Sequence, residues 1–268
     1  MRLIAGILLA LSGLVACQPK NVDTSAGAVQ LSFNNRVGNS ELALGTGAYQ
    51  NKSGETFTIT RFDYFVSNIR LLRADGQAYT VPQDDSYFLV READPGSQVI
   101  TLNNVPAAEY TQLEFMVGVD SLRNTADVGK RTGVLDPAGN HTSGMYWDWN
   151  TGYIHLKMEG TSPQAPTDAT GSRNFRYHIG FFGGYQARTL NNLRVIRVPI
   201  NANGMALRVG PDLKTALVIN TDADKLFDGP TPIRIATYPD VMVSPVSATI
   251  ANNYATMFSF GFSSTSSK

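Results

Sequence analysis

The residues best suited to chemistry in this chain concentrate between positions 134 and 160. This stretch holds both tryptophans, Trp147 and Trp149, and two of the three histidines, His141 and His155, together with two methionines. Imidazole nitrogen and thioether sulfur are donors that copper accepts. In an extended chain the two tryptophans point to the same side. The composition predicts either a soft-metal site or a core in which tryptophans pack, methionines fill gaps and the histidines are hydrogen-bonded or exposed.

The sequence lacks the motifs of familiar catalytic sites. It contains no Gly-x-Ser-x-Gly elbow, no glycine-rich phosphate loop and no His-Glu-x-x-His pair. We therefore expect a binding protein and not an enzyme.

An acidic segment near the C-terminus is the second candidate site. Asp222, Asp224 and Asp228 precede Gly229, and their oxygens resemble a Ca²⁺ loop. The segment lacks the terminal glutamate and the full spacing of an EF-hand. The pattern favours turn formation and helix capping over Ca²⁺ binding.

The first 16 residues have the organisation of a bacterial lipoprotein signal peptide. A basic Met1-Arg2 start precedes an apolar stretch of about a dozen residues, which is too short to span a membrane. The segment ends in Leu14-Val15-Ala16-Cys17, which resembles a lipobox, and Cys17 is the single cysteine of the chain. This motif predicts cleavage before Cys17 and acylation of its thiol. Several acyl chains on this residue would anchor the protein firmly to a membrane.

Compartment and domain limits follow from the remaining composition. Gln18 stands where an inner-membrane lipoprotein usually carries aspartate, so we expect the outer membrane, facing the periplasm or the cell exterior. The balance of 22 basic and 22 acidic residues offers no electrostatic footprint for nucleic acid. We expect a signal peptide at 1–16, a flexible tether at 17–27, one domain at 28–262 and a disordered tail at 263–268.

Alternation of apolar and polar residues predicts an all-β domain of the β-sandwich type. The predicted strands lie at 29–33, 56–59, 64–66, 87–90, 99–102, 113–119, 153–158, 175–179, 193–200 and 216–219. Residues 74–77 (Ala-Asp-Gly-Gln) predict a hairpin turn. One short C-terminal helix is expected over 247–257, where Ile250, Tyr254 and Met257 form an apolar stripe.

Several spaced motifs resemble the MbnP family, the methanobactin-associated periplasmic copper-binding proteins and their lipoprotein relatives. The strongest lie around the tryptophans: Leu135-Asp136-Pro137, Gly144-Met145-Tyr146-Trp147-x-Trp149-x-x-Gly152-Tyr153 and Lys157-x-Glu159-Gly160. Others follow the same order along the mature chain, and they include Tyr64-Phe65-Val66-Ser67-Asn68-Ile69, Phe175-x-Tyr177-His178-Ile179-Gly180 and Lys225-Leu226-Phe227-Asp228-Gly229.

The resemblance implies copper, Cu(I) or Cu(II), bound through histidine. His178 lies inside a matching motif, while His155 and Met145 could complete the donor set. In some relatives a di-haem MauG/MbnH-like partner oxidises a tryptophan to kynurenine. Trp147 and Trp149 are the only residues here on which such an enzyme could act.

The chain departs from this family pattern at both ends. Relatives often carry a histidine after the first strand's phenylalanine, where this sequence reads Phe33-Asn34-Asn35-Arg36, and many end in a histidine-containing tail that is absent here. The alternative is therefore a metal-free β-sandwich binding or adaptor lipoprotein that keeps the fold without copper.

Overall fold

The computed structural model describes residues 25–138, 143–201 and 204–268. The expected signal peptide, Cys17, most of the expected tether and His141 lie outside these ranges. The strands are β1 (Ala26–Val37), β2 (Ser40–Glu41), β3 (Tyr49–Gln50), β4 (Thr56–Leu72), β5 (Ala78–Thr80), β6 (Tyr87–Arg91), β7 (Val99–Pro106), β8 (Ala108–Tyr110), β9 (Gln112–Val117), β10 (Leu156–Thr161), β11 (Asn174–Ile179), β12 (Arg194–Pro199), β13 (Leu207–Val209), β14 (Leu213–Asp222), β15 (Asp240–Val241) and β16 (Phe258–Ser267).

Short helices connect these strands. The α-helices are α1 (Ser121–Asn124), α2 (Lys225–Asp228) and α3 (Val246–Tyr254), and 3₁₀ turns lie at Gln83–Asp85, Pro95–Gln98, Val128–Lys130 and Gly133–Leu135. Within the described part of the chain, no helix is long and apolar enough to cross a membrane.

Two main sheets form the domain. The smaller runs in the order β16-β14-β1-β2, with β7 also paired to β1, and the larger runs β12-β9-β4-β10-β11-β15, with β3, β5 and β6 also paired to β4. Strand β1 pairs in parallel with β14, although the two lie far apart in sequence. A small ladder of β13 and β8 completes the fold.

Aromatic side chains from both sheets meet in the main core. Phe33 of β1 lies 6.0 Å from Tyr64 and 5.7 Å from Phe115, measured between ring centroids. Phe258 of β16 lies 4.9 Å from Phe115, also edge to face. Such edge-to-face pairs add to the free energy gained by burying the rings.

Strand β4 carries apolar residues on both faces. Tyr64 and Val66 belong to the main core, whereas Phe65 between them belongs to a second apolar cluster. Because successive side chains of a strand point to opposite faces, this second cluster lies on the outer face of the larger sheet. Its buried members are Phe65, Leu89, Val119, Leu135, Met145, Tyr153 and Ile154.

The all-β prediction is confirmed, and most predicted strands lie within observed ones. The predicted turn at 74–77 is present, since the Arg73 N–H donates to the Gln77 carbonyl (2.8 Å) and Gly76 adopts a φ of +83°. Helix α3 falls within the predicted C-terminal helix apart from its first residue.

The structure differs from three predicted boundaries. The expected disordered tail at 263–268 belongs to β16 as far as Ser267, which pairs with Leu213. Backbone hydrogen bonds hold this segment, and they do not depend on the serine-rich side chains that suggested disorder. Strand β1 starts at Ala26, inside the expected tether, because Ala26 pairs with Pro106 of β7. The strand expected at 153–158 begins only at Leu156.

The ordered C-terminal strand leads to a prediction about stability. Phe258 is 9% exposed and contacts three core rings, whereas Phe262 on the same strand is 56% exposed. We expect Phe258→Ala to lower the free energy of unfolding by about 3–5 kcal/mol. Phe262→Ala, the matched control, should change it by no more than about 0.5 kcal/mol. Urea unfolding measures both, and equal small effects would show that β16 is not part of the folded core.

Candidate functional site

The tryptophan-containing segment folds into a tight loop directly before β10. The Trp147 N–H donates to the Gly152 carbonyl (2.9 Å), and the Gly152 N–H donates to the Trp149 carbonyl (3.1 Å). The Ile154 N–H donates to the Met145 carbonyl (2.8 Å). These bonds close the loop on itself and place both indoles at its tip.

Side chains from the preceding segment fix this loop to the domain. The Asn124 side chain accepts from the Tyr153 N–H (3.1 Å) and donates to the Val119 carbonyl (2.5 Å). A Cβ atom on Gly152 would lie 2.1 Å from Asn124 Oδ1, and Gly152 has a φ of +63°. Only glycine fits both requirements at this position.

Met145 lies wholly buried in the second apolar cluster. Its neighbours in that cluster are aliphatic and aromatic side chains. This placement fits the packing role, one of the two interpretations of the sequence, and its role as a metal ligand stays a prediction.

His155 is fully buried immediately before β10, and its ring packs against Gly118. A Cβ atom on Gly118 would lie 2.7 Å from both Cγ and Nδ1 of His155. Neither ring nitrogen has a hydrogen-bond partner among the described residues. Burial lowers the pKa of His155 from 6.5 to about 4, and a weak hydrogen-bonding contact with the Phe181 backbone, outside regular hydrogen-bond geometry, offsets this only in part. The imidazole is therefore neutral at pH 7.

His178 is held by a carboxylate from the neighbouring strand. It pairs in register with Lys157 of β10, and its Nε2 lies 2.6 Å from Glu159 Oε1. Burial and the positive charge of Lys157 lower the pKa of His178, while Glu159 opposes them. This contact occupies Nε2, and no hydrogen bond to Nδ1 is present among the described residues.

A network of charges surrounds this pair on the outer face of the larger sheet. The Lys157 ammonium donates to the Gly144 carbonyl (2.5 Å), and Arg61 donates to the Ser143 carbonyl (2.5 Å) and pairs with Asp63 at 2.7 Å. Burial, reinforced by Arg61, lowers the pKa of Lys157 to about 8. These cations therefore tie the start of the tryptophan loop to β4 and β10.

The two indoles stack on one another beside the end of β11. Their ring centroids lie 5.4 Å apart at an interplanar angle of 34°. Trp147 packs on Gly180, where a Cβ atom would lie 2.7 Å from Trp147 Cζ3. Trp149 is 45% exposed and meets Phe181 edge to face at 6.2 Å. Since Gly180 follows His178 by two residues, the structure brings the tryptophans to the same end of β11 as this histidine.

The structure brings the histidines onto adjacent segments but shows no larger ligand cluster. His178 of β11 pairs in register with Lys157 of β10, and Lys157 follows His155 by two residues. Among residues 25–138, 143–201 and 204–268, no group of three or more His, Cys, Asp and Glu side chains is arranged to hold a metal ion. His155 and His178 therefore stay candidate donors among the described residues.

The roles of two residues in this site did not follow from the sequence. Glu159 belongs to a matching motif, but its contact with His178 depends on the register between β10 and β11. Gly118 makes room for the His155 ring, and this contact joins segments that are distant in sequence. Only the period-two alternation of His155, Lys157 and Glu159 could have placed Glu159 on the correct face.

The acidic segment near α2 accepts hydrogen bonds from turns. Asp222 Oδ1 accepts from the Gly38 N–H (2.8 Å), and Asp228 Oδ2 accepts from the Lys52 N–H (2.7 Å). Burial, together with the nearby Asp228 and Asp222, raises the pKa of Asp224 to about 7. These contacts correspond to the turn-forming role that the sequence favoured over Ca²⁺ binding.

The buried His155 predicts a loss of stability in acid. Its pKa is about 4 in the folded state and 6.5 ordinarily, so between these values the unfolded chain binds a proton that the folded chain does not. We expect the free energy of unfolding of the metal-free protein to fall by up to about 3 kcal/mol from this residue as pH drops through that window.

Urea unfolding as a function of pH tests this expectation. His155→Leu, which cannot titrate, should flatten the acid side of the profile relative to wild type. His178→Gln serves as the control, because His178 is less buried and its loss should leave most of the slope. A wild-type slope in His155→Leu would contradict the assignment.

Comparison with known proteins agrees with this architecture. The solved structure "MbnP from Methylosinus trichosporium" matches with a TM-score of 0.52 at 20% identity, over 78% of this chain and 79% of that chain. At this identity the likeness shows a shared fold. Comparison with curated proteins gave no match. The MbnP family model matches residues 26–243, which is well over half of the sequence, and the chain belongs to the MbnP family.

Proposed function

We propose that this protein is a membrane-anchored periplasmic or surface lipoprotein that binds copper through His178 and His155. The observation that carries the proposal is the wholly buried His155 imidazole, which makes no regular hydrogen bond to the described residues and has only a weak polar contact with the Phe181 backbone. Leaving a buried polar group without a partner costs about 1–3 kcal/mol. A bound metal ion would satisfy the nitrogen that carries the lone pair.

The protonation state of His155 suits this role. Metal ligands must be deprotonated, and burial keeps this imidazole neutral at pH 7. Gly118 leaves the ring in place without a hydrogen bond that would compete for its nitrogens.

Glu159 supports His178 as the second ligand. Histidines that bind metals usually donate their other ring N–H to a carboxylate, which sets the tautomer and the ring orientation. The contact between His178 Nε2 and Glu159 Oε1 has this form and would leave Nδ1 to bind the metal. Copper, when bound, would be held by imidazole nitrogen, a donor that suits both of its oxidation states.

The tryptophan pair supports maturation by a di-haem MauG/MbnH-like partner. Oxidation to kynurenine cleaves the C2–C3 bond of the indole, inserts oxygen and releases C2 as formate after hydrolysis; the oxidant would be O₂ or peroxide activated by the di-haem partner. Trp149 is exposed and stacked on Trp147, so a docked partner could reach either residue through Trp149. This chain itself would act as a binding protein and not as an enzyme.

Cu(I) titration against a competing chelator tests the metal site. We expect stoichiometric binding by the mature protein and at least about tenfold weaker binding by His178→Ala. Glu159→Gln should weaken binding roughly 10- to 100-fold, because it orients His178 without touching the metal. Met145→Leu, a volume-matched control in the apolar cluster, should bind as wild type.

Two results would contradict the copper proposal. Unchanged affinity in His178→Ala would reject this site. Absence of stoichiometric copper in the wild-type protein would favour the metal-free binding or adaptor lipoprotein.

Mass spectrometry of the protein purified from bacterial membranes tests the anchor and the maturation. We expect the N-terminal peptide to begin at an acylated Cys17, and the peptide with Trp147 and Trp149 to carry the mass change from tryptophan to kynurenine. Cys17→Ser should release the protein from the membrane fraction without altering its fold. An unprocessed N-terminus would contradict the anchor, and unmodified indoles in copper-loaded protein would contradict the maturation.

A further inference from the structure

A cleft of about 500 Å³ opens beside the tryptophan loop. Aromatic side chains line much of it, and the polar residues Arg131, Asp148 and Asn150 join them; the aromatic residues are Tyr146, Trp149, Phe182 and Tyr185. Trp149 is 45% exposed and Tyr185 is 63% exposed. A volume of this size suits a small organic molecule, and such sites combine aromatic walls with a few polar groups.

Arg131 is the cation of this cleft, and it lacks an anionic partner. The residue is only 9% exposed, yet its Nε has no hydrogen-bond partner in the described chain. Its Nη1 donates to the Tyr146 hydroxyl (3.1 Å), and its Cζ lies 5.5 Å from the Tyr146 ring centroid. No carboxylate of the described residues lies within ion-pair distance of it.

The chemistry of guanidinium indicates what would complete this site. Guanidinium binds carboxylates in pairs of parallel hydrogen bonds along one edge of the group. Tyr146 accepts from Nη1, the Tyr153 hydroxyl also interacts with the guanidinium, and Nε is buried. A largely buried guanidinium without an anion among the described residues calls for an explanation, and a ligand carboxylate in the cleft provides one.

The walls of the cleft are held in place before any ligand binds. Asn150 Oδ1 accepts from the N–H groups of Tyr185 (2.9 Å) and Gln186 (2.6 Å), and Asn150 Nδ2 donates to the Ala187 carbonyl (2.9 Å). Trp149 is supported by Phe181 and Trp147. Binding therefore costs little ordering of these walls.

We propose that this cleft binds a small aromatic monocarboxylate, whose carboxylate pairs with Arg131 and whose ring packs against Trp149 and Tyr185. Asp148 also lines the cleft and disfavours a second negative charge on the ligand. None of its lining residues is a histidine, so probe binding can be measured without copper, although the cleft shares Trp149 with the proposed maturation site.

Titration calorimetry with metal-free protein tests the proposal, using indole-3-acetate and benzoate as probes. We expect saturable binding of at least one of them. Indole, which lacks the carboxylate, and acetate, which lacks the ring, should bind at least about tenfold more weakly. Arg131→Lys keeps the charge but loses the planar edge, and it should weaken binding by a similar factor.

Tyr185→Ala provides a second variant in case Arg131→Lys disturbs folding, because Tyr185 is largely exposed. It should weaken probe binding several-fold through lost ring contact. Tyr238→Ala, an exposed tyrosine that does not line the cleft, should bind as wild type. Failure of both probes to bind the wild-type protein overturns the proposal. Equal affinity for indole and indole-3-acetate, or wild-type affinity in Tyr185→Ala, overturns it as well.

Discussion

Burial of both faces of strand β4 is the constraint on which the rest of the structure depends. A strand at the surface of a sandwich needs apolar residues on one face only. Here Tyr64 and Val66 fill the main core while Phe65 requires cover from the outside. The loop that carries the tryptophans provides much of that cover through Met145, Tyr153 and Ile154. The segment with the most reactive residues is therefore also a packing element.

Next to this apolar cluster, ion pairs and hydrogen bonds hold the charged side chains on the outer face of the larger sheet. Asp63 and Lys157 are nearly inaccessible to solvent, and they sit opposite one another in the register of β4 and β10. Buried charges of this kind are tolerated only when partners and hydrogen bonds satisfy them. Arg61 pairs with Asp63, and the Gly144 carbonyl accepts from Lys157. The proposed ligand His178 is therefore surrounded by paired polar groups. The buried His155 imidazole, in contrast, makes no regular hydrogen bond to the described residues.

The two histidines differ in how far the sequence could describe them. His178 was predicted from its motif, and its place on an outward face follows from the alternation of β11. The partner of its Nε2 could not be predicted, because Glu159 reaches it only through cross-strand register. The complete burial of His155 depends on Gly118 of a distant segment, and the position of Met145 depends on the second apolar cluster. Neither contact leaves a local pattern.

The sequence by itself determined the strand periodicity, the family motifs, the hairpin turn after β4 and the helix near the C-terminus. These features follow from side-chain alternation and turn chemistry, which act between residues close in sequence. Tertiary structure alone decided the parallel pairing of β1 with β14, the ordering of the serine-rich β16, the burial of His155 and the unpaired Nε of Arg131. Each of these depends on backbone register or burial between distant segments, and neither property is encoded in any single stretch of the chain.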